Sequence, residues 1–136
     1  IGVSNFKTEH LDAIEGVTPS VDQIEMHPTF NQATFRAELA KRGITPEAWS
    51  PLGQSKDLDN PVLADIAKAT GKTPAQVVIR WHLQIGKVVF PKSVTPSRIA
   101  ENFDVFGFEL SDEQIAAIDG LDHGNRLGGD PATADF

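Results

Sequence analysis

The fifteen residues from Val88 to Asn102 join an apolar strand, a cationic turn and a helix start, and that combination is suited to holding an anion. Val88, Val89 and Phe90 are β-branched or aromatic in a row, as expected of a strand covered on both faces. Pro91 ends it. Lys92 and Ser93 follow at the strand's carboxyl end, and Thr95-Pro96 supplies an N-cap with proline at the first helical position, where its missing N–H costs nothing. A phosphate there would meet open backbone N–H groups, the positive end of a helix dipole, the Lys92 ammonium and, about a turn further on, the Arg98 guanidinium. Spacing alone leaves a second reading open, an ordinary βα turn with solvated charges.

Other polar and aromatic residues sit at comparable places. Ser4 and Asn5 follow an opening strand. In the stretch 20–26, Val21, Gln23 and Glu25 alternate with Ile24 and Met26, so one face is polar and needs a ligand or a hydrogen-bond network. His27 reads as a packed, hydrogen-bonded histidine ahead of any proton-transfer role. Trp49, at the end of another strand, is either a core aromatic or a platform for a flat ring. Trp81 and His82 lie inside a helix, one as core and the other as its satisfied neighbour.

The elements that position these residues alternate along the chain. Strands at about 1–4, 20–26, 45–49 and 88–90 are each followed by helix, which gives four βα units, a parallel sheet and right-handed crossovers. Thr8 caps a short helix with Leu11 and Ile14 on one face, and Asn31 caps a longer one stopped by Gly43. Asn60-Pro61 and Thr73-Pro74 open two more, stopped by Gly71 and Gly86. Ser111 with Gln114 forms a capping box before Ile115, Ile118 and Leu121. Gln54 to Leu58 is expected to be a mobile loop, 103–110 an extended linker packed through its Phe residues, and 122–136 a loosely ordered tail.

A chain of 136 residues can bury one core, but a complete (β/α)8 barrel takes about 250. It opens within a strand and without methionine, so the expectation is a fragment. The net charge of −7 argues against nucleic acid as a partner. No apolar run reaches membrane-spanning length, and no leader pattern is present, so neither a membrane partner nor export is expected. With no cysteine there is no disulfide or thiolate metal framework, and a cytoplasmic location is the expectation.

Pro91-Lys92-Ser93-Val94-Thr95 followed by Arg98-Ile99-Ala100-Glu101-Asn102 resembles the NADP-binding signature of the aldo-keto reductases, (β/α)8-barrel oxidoreductases. The resemblance implies that Lys92, Ser93 and Thr95, with Val94 among them, hold the 2′-phosphate of NADPH or NADP+. It also implies that Arg98 covers the adenine and assists with that phosphate, and that Glu101 and Asn102 reach the adenine. Gly2-Val3-Ser4-Asn5-Phe6 is similar to the family's fifth barrel strand, which implies that Ser4 and Asn5 hydrogen-bond the nicotinamide carboxamide, with Gln23 as a third contact. Ala48 to Gly53 resembles the seventh strand, so Trp49 stacks on the nicotinamide while Ser50 and Leu52 pass the pyrophosphate.

The implied fold is a partial barrel: four carboxyl-terminal βα units with a terminal helix and tail, residues 1–136 forming the cofactor-binding half. The family's tyrosine acid, with the lysine, histidine and aspartate that tune it, belongs to the first four strands, and this chain has no tyrosine. No catalytic residue and no metal ligand is therefore assigned. The implied activity is NADPH-dependent reduction of a small carbonyl, by analogy with bacterial members acting on diketo-sugar acids or methylglyoxal, with the missing amino-terminal half as partner. The alternative is a noncatalytic half-barrel that binds NADP(H) or self-associates through its two open sheet edges.

Overall fold

The computed structural model describes residues 1–134, in which four parallel strands lie side by side in chain order. They are β1 (Gly2–Ser4), β2 (Val21–Glu25), β3 (Thr45–Trp49) and β4 (Val88–Val89). Helix α1 (Thr8–Asp12) follows β1 and α2 (Ala33–Lys41) follows β2. Then α3 (Pro61–Thr70) and α4 (Pro74–Gln84) separate β3 from β4, and α5 (Pro96–Phe103) and α6 (Asp112–Asp119) complete the described fold. The alternation read from the sequence is thus the observed one.

Strand register sets the two faces. Ser4 pairs with Gln23, Gln23 with Glu47 and Glu47 with Val88, so these four residues line one face. Ile24 and Ala48, one position further along, point the other way and are buried against Leu39, Leu63, Val77 and Trp81. Each large aliphatic group buried there contributes roughly 1.5–3 kcal/mol.

Helix ends follow local chemistry. Gly43 (φ 71) takes the left-handed conformation, its N–H donating to Ala40 O and that of Ile44 to Leu39 O, which satisfies two open carbonyls of α2. Gly86 (φ 75) repeats the device and feeds the chain into β4. Asn60, Thr73 and Ser111 cap α3, α4 and α6 through their side chains, as their spacing predicts.

Other local expectations are corrected. Thr8 is the first helical residue; the cap before it is the Lys7 N–H donating to His10 Nδ1 at 3.0 Å. At α2, Gln32 occupies the cap position with φ 49, while Asn31 Oδ1 accepts the Ala33 N–H from one residue earlier. Thr95 occupies the cap position of α5 but makes no side-chain cap; its N–H donates to Ser93 Oγ at 3.2 Å. The stretch Val88–Phe90 is not covered on both faces: β4 has β3 as its one strand neighbour among the described residues, and Phe90 is 54% exposed. The 103–110 segment is anchored by Val105, Phe108 and Leu110, whereas Phe103 and Phe106 pack edge to face on each other in solvent. His82 is only half satisfied; Nε2 bonds Pro51 O at 3.0 Å, and the buried Nδ1 has no partner among the described residues. Burial therefore holds its imidazole neutral, with a pKa lowered to about 3.

Two stretches expected to be loose, 54–58 and the tail as far as Asp130, are pinned by distant partners, and residues 135–136 of that tail lie outside the described residues. Within 54–58, Asp57 is buried and its carboxylate accepts from the Thr29 N–H, the Thr29 hydroxyl and His27. In the tail, the His123 and Asn125 N–H groups donate to Thr29 O, and those of Leu127 and Gly128 to the Glu25 carboxylate. Lys7 pairs with Asp130 beyond them. Buried polar groups on β2 and its following turn need partners: the 54–58 stretch supplies an acceptor for their donors, and the tail supplies donors for their acceptors.

Candidate functional site

Lys92, Ser93, Val94, Thr95, Arg98, Glu101 and Asn102 line one groove of about 640 Å³, with Leu52, Ser55, Leu58 and Asp59 across from them. The groove runs from the mouth of β4 over the first turns of α5. Its cations are open: the ion pairs among the described residues engage Lys7, Arg42, Lys72, Arg80, Arg126 and His27, and neither Lys92 nor Arg98. Val94 is 85% exposed. Glu101 has one carboxylate oxygen accepting from the Thr73 hydroxyl at 2.7 Å, and its carbonyl accepts from Gln76, so the groove wall is tied to the start of α4.

The other predicted residues gather at the carboxyl ends of β1, β2 and β3. Asn5 and Ser50 are both held at positive φ, 59 and 49, a strained backbone that persists only where the surroundings fix it. Trp49 Nε1–H donates to Asn5 Oδ1 at 2.8 Å. Ser4 Oγ donates to Gln23 O, and Gln23 Nε2 donates to Glu47. Ser50 starts the turn that carries Leu52 into the groove, its carbonyl accepting from Gly53. The structure therefore forms two polar sets, joined by the chain from Trp49 to Leu52.

Sequence reading missed Glu47, which the β2–β3 register places beside Gln23. Its position two residues before Trp49, hence on the same face, was the available signal. It also missed the extent of the buried network behind the site. Glu25 and His27 are buried; His27 Nε2 meets Glu25 at 3.1 Å and Nδ1 meets Asp57 at 2.9 Å. Burial alone would lower the His27 pKa, but the two carboxylates outweigh it and raise it. Asp57 is the converse: burial favours its neutral form, and the bonds from His27 and Thr29 lower its pKa.

The family model described as "Aldo/keto reductase family" matches residues 1–123. The chain belongs to the aldo/keto reductase family. An aldo-keto reductase of Mycolicibacterium smegmatis is 56% identical over the whole chain, and the methylglyoxal reductase DkgA of Escherichia coli K12 is 52% identical over 96% of it. The chain spans about half the length of each, 50% in both cases. A crystal structure of a Gox0644 mutant in complex with NADPH superposes with a TM-score of 0.97 at 50% identity, covering 99% of this chain and 51% of that one. An aldo-keto reductase from a deep-sea metagenome gives 0.96 at 38% identity. As a family member, this aldo/keto reductase chain presents four βα units, about half of each barrel it matches.

Proposed function

We propose that these residues form the NADPH-holding half of a carbonyl reductase, completed by an upstream half-barrel that supplies the proton donor. Bound NADPH would supply a hydride to the carbonyl carbon. The residues present fit that group. Lys92 and Arg98 stand unpaired at one groove, as an additional phosphate requires, with Ser93 and Thr95 hydroxyls beside them.

At the other end, the amide groups are already sorted. Asn5 Oδ1 is taken by Trp49 and Gln23 Nε2 by Glu47, which leaves the Asn5 Nδ2 donor and the Gln23 Oε1 acceptor for a carboxamide. Trp49 then serves as the platform for the flat ring, Ser50 and Leu52 flank the pyrophosphate, and Glu101 and Asn102 reach the adenine. The identity to a methylglyoxal reductase supports a small dicarbonyl as substrate, and a cysteine-free sequence is in keeping with a cytoplasmic setting as part of the same reading.

The observation that carries the proposal is the pair of open cations over a polar groove. Its test is steady-state kinetics of the full-length protein with methylglyoxal. NADPH oxidation is expected, and Arg98→Met should lower kcat/KM for NADPH by about ten- to a hundredfold, the effect of one charged contact, with little change for NADH. Equal losses with both nucleotides would remove Arg98 from the phosphate, and no oxidation of either would overturn the assignment.

A further inference from the structure

Behind Trp49 the structure builds a support that no nucleotide contact explains. The Glu25 carboxylate is 1% exposed, yet it carries no partner from its own strand. His27 Nε2 holds Oε1 at 3.1 Å, the Leu127 N–H donates to that same oxygen, and the Gly128 N–H donates to Oε2 at 2.9 Å. Arg126 Nη1 stands 4.0 Å from Oε2 and its guanidinium lies over the Phe30 ring. Two consecutive peptide N–H groups converging on one buried anion fix the backbone at that point, because charge-assisted bonds are the strong ones.

What this backbone touches is Trp49. A Cβ added at Gly128 would lie 2.4 Å from Trp49 Cη2, 3.2 Å from Cζ3 and 2.9 Å from Glu25 Oε2. The absent side chain lets the peptide close directly on the benzo end of the indole. At its pyrrole end the same ring is held by Asn5. A single hydrogen bond at Nε1 would leave the indole free to swing about that contact. The second stop removes this freedom.

We propose that Glu25 is a positioning residue for the Trp49 ring, acting through the backbone of Leu127 and Gly128. The inference rests on Trp49 being the platform for the nicotinamide. Glu25 touches neither substrate nor cofactor. It fixes the angle at which the ring is presented, and stacking depends on that angle and offset.

The test is fluorine NMR of the full-length protein labelled with fluorotryptophan, the Trp49 line being assigned by its loss in Trp49→Phe and the buried Trp81 serving as internal control. In the nucleotide-free protein, Gly128→Ala and Glu25→Gln should each shift or broaden the Trp49 line and leave that of Trp81 in place. Gly128→Ala sets a methyl group against Trp49 and the Glu25 carboxylate, so the Trp81 line also reports whether the variant keeps its core, and its NADPH dissociation constant should rise roughly two- to tenfold, as for a weakened stacking contact. If Glu25→Gln leaves the nucleotide-free Trp49 line unmoved, Glu25 does not position the ring, because Gly128→Ala moves that line by its own contact with the indole. The platform reading is scored separately, by whether NADPH moves the Trp49 line of the unsubstituted protein. Should NADPH leave it unmoved while the variants shift it, the support is real but the ring is not a cofactor platform.

Discussion

Asp22 carries a carboxyl group to the helix-facing side of the sheet, where the pleat also sends Ile24. It is fully buried; Oδ1 accepts a long bond of 3.4 Å from the Phe6 N–H, and Oδ2 has no partner among the described residues. Burial raises its pKa from 3.8 to about 6, with the Phe6 N–H and His10 only partly opposing. A carboxyl whose pKa is raised by folding favours the fold while protonated. That contribution is complete below the unfolded value and is lost as pH rises through about 6. Asp22→Asn keeps the shape and removes the ionisation, so the full-length protein should gain up to roughly 3 kcal/mol at about pH 8 and little at about pH 4. Denaturant titrations at the two pH values check this, and equal stability of both forms at the higher pH would contradict it. The pattern at 20–26 directs attention to Gln23 and Glu25 as the polar face. Asp22 escapes because alternation assigns a face but does not reveal which face is covered.

The loop after β3 shows what an element owes to partners far away in sequence. Gly53 has φ 56, and a Cβ there would sit 2.6 Å from Asp57 Cγ, in the carboxylate that binds His27 and Thr29. Gly53→Ala combines a left-handed backbone with overpacking against a buried ionised group and should cost about 3 kcal/mol. Gly124→Ala, at φ 71 with nothing within 4 Å, bears the backbone cost alone, about 1 kcal/mol. Chemical denaturation of the two variants gives the comparison, and equal costs would mean that the Asp57 contact yields freely. Caps and stops at Asn60, Thr73, Gly43 and Gly86 are legible in the sequence because each closes on residues within about one turn. The loop at Asp57 and the tail at Leu127 close on Thr29 and Glu25, separated from them by tens of residues, and composition reads such segments as loose. The proposed cofactor residues are nominated for a different reason, since their types and order form a motif. The clamp behind Trp49 has no contiguous signature.

At the scale of the molecule, the parallel sheet ends at β4 with an edge unpaired among the described residues, and apolar surface collects there. Phe90, Ile99, Phe103 and Phe106 are exposed around a groove of about 540 Å³ bounded by α4, α5 and β4. Exposed apolar surface beside an open strand edge marks a surface meant to be covered. In a polypeptide twice this length the upstream βα units are the fitting cover; for the 136-residue chain alone, a second copy is the available substitute. Its net charge of −7 opposes that pairing, since two copies repel over a Debye length of about 10 Å at 0.1 M salt. The two effects differ in their response to salt: screening weakens the repulsion and leaves apolar burial intact. Sedimentation of the isolated chain should therefore show association that strengthens as salt is raised, and Phe103→Ser with Phe106→Ser should reduce it at every salt concentration. Addition of the separately expressed upstream half should replace the self-associated species with a one-to-one complex. A folded monomer at all salt concentrations, indifferent to those two substitutions, would mean that this edge is stable uncovered and that the apolar groove serves no docking role.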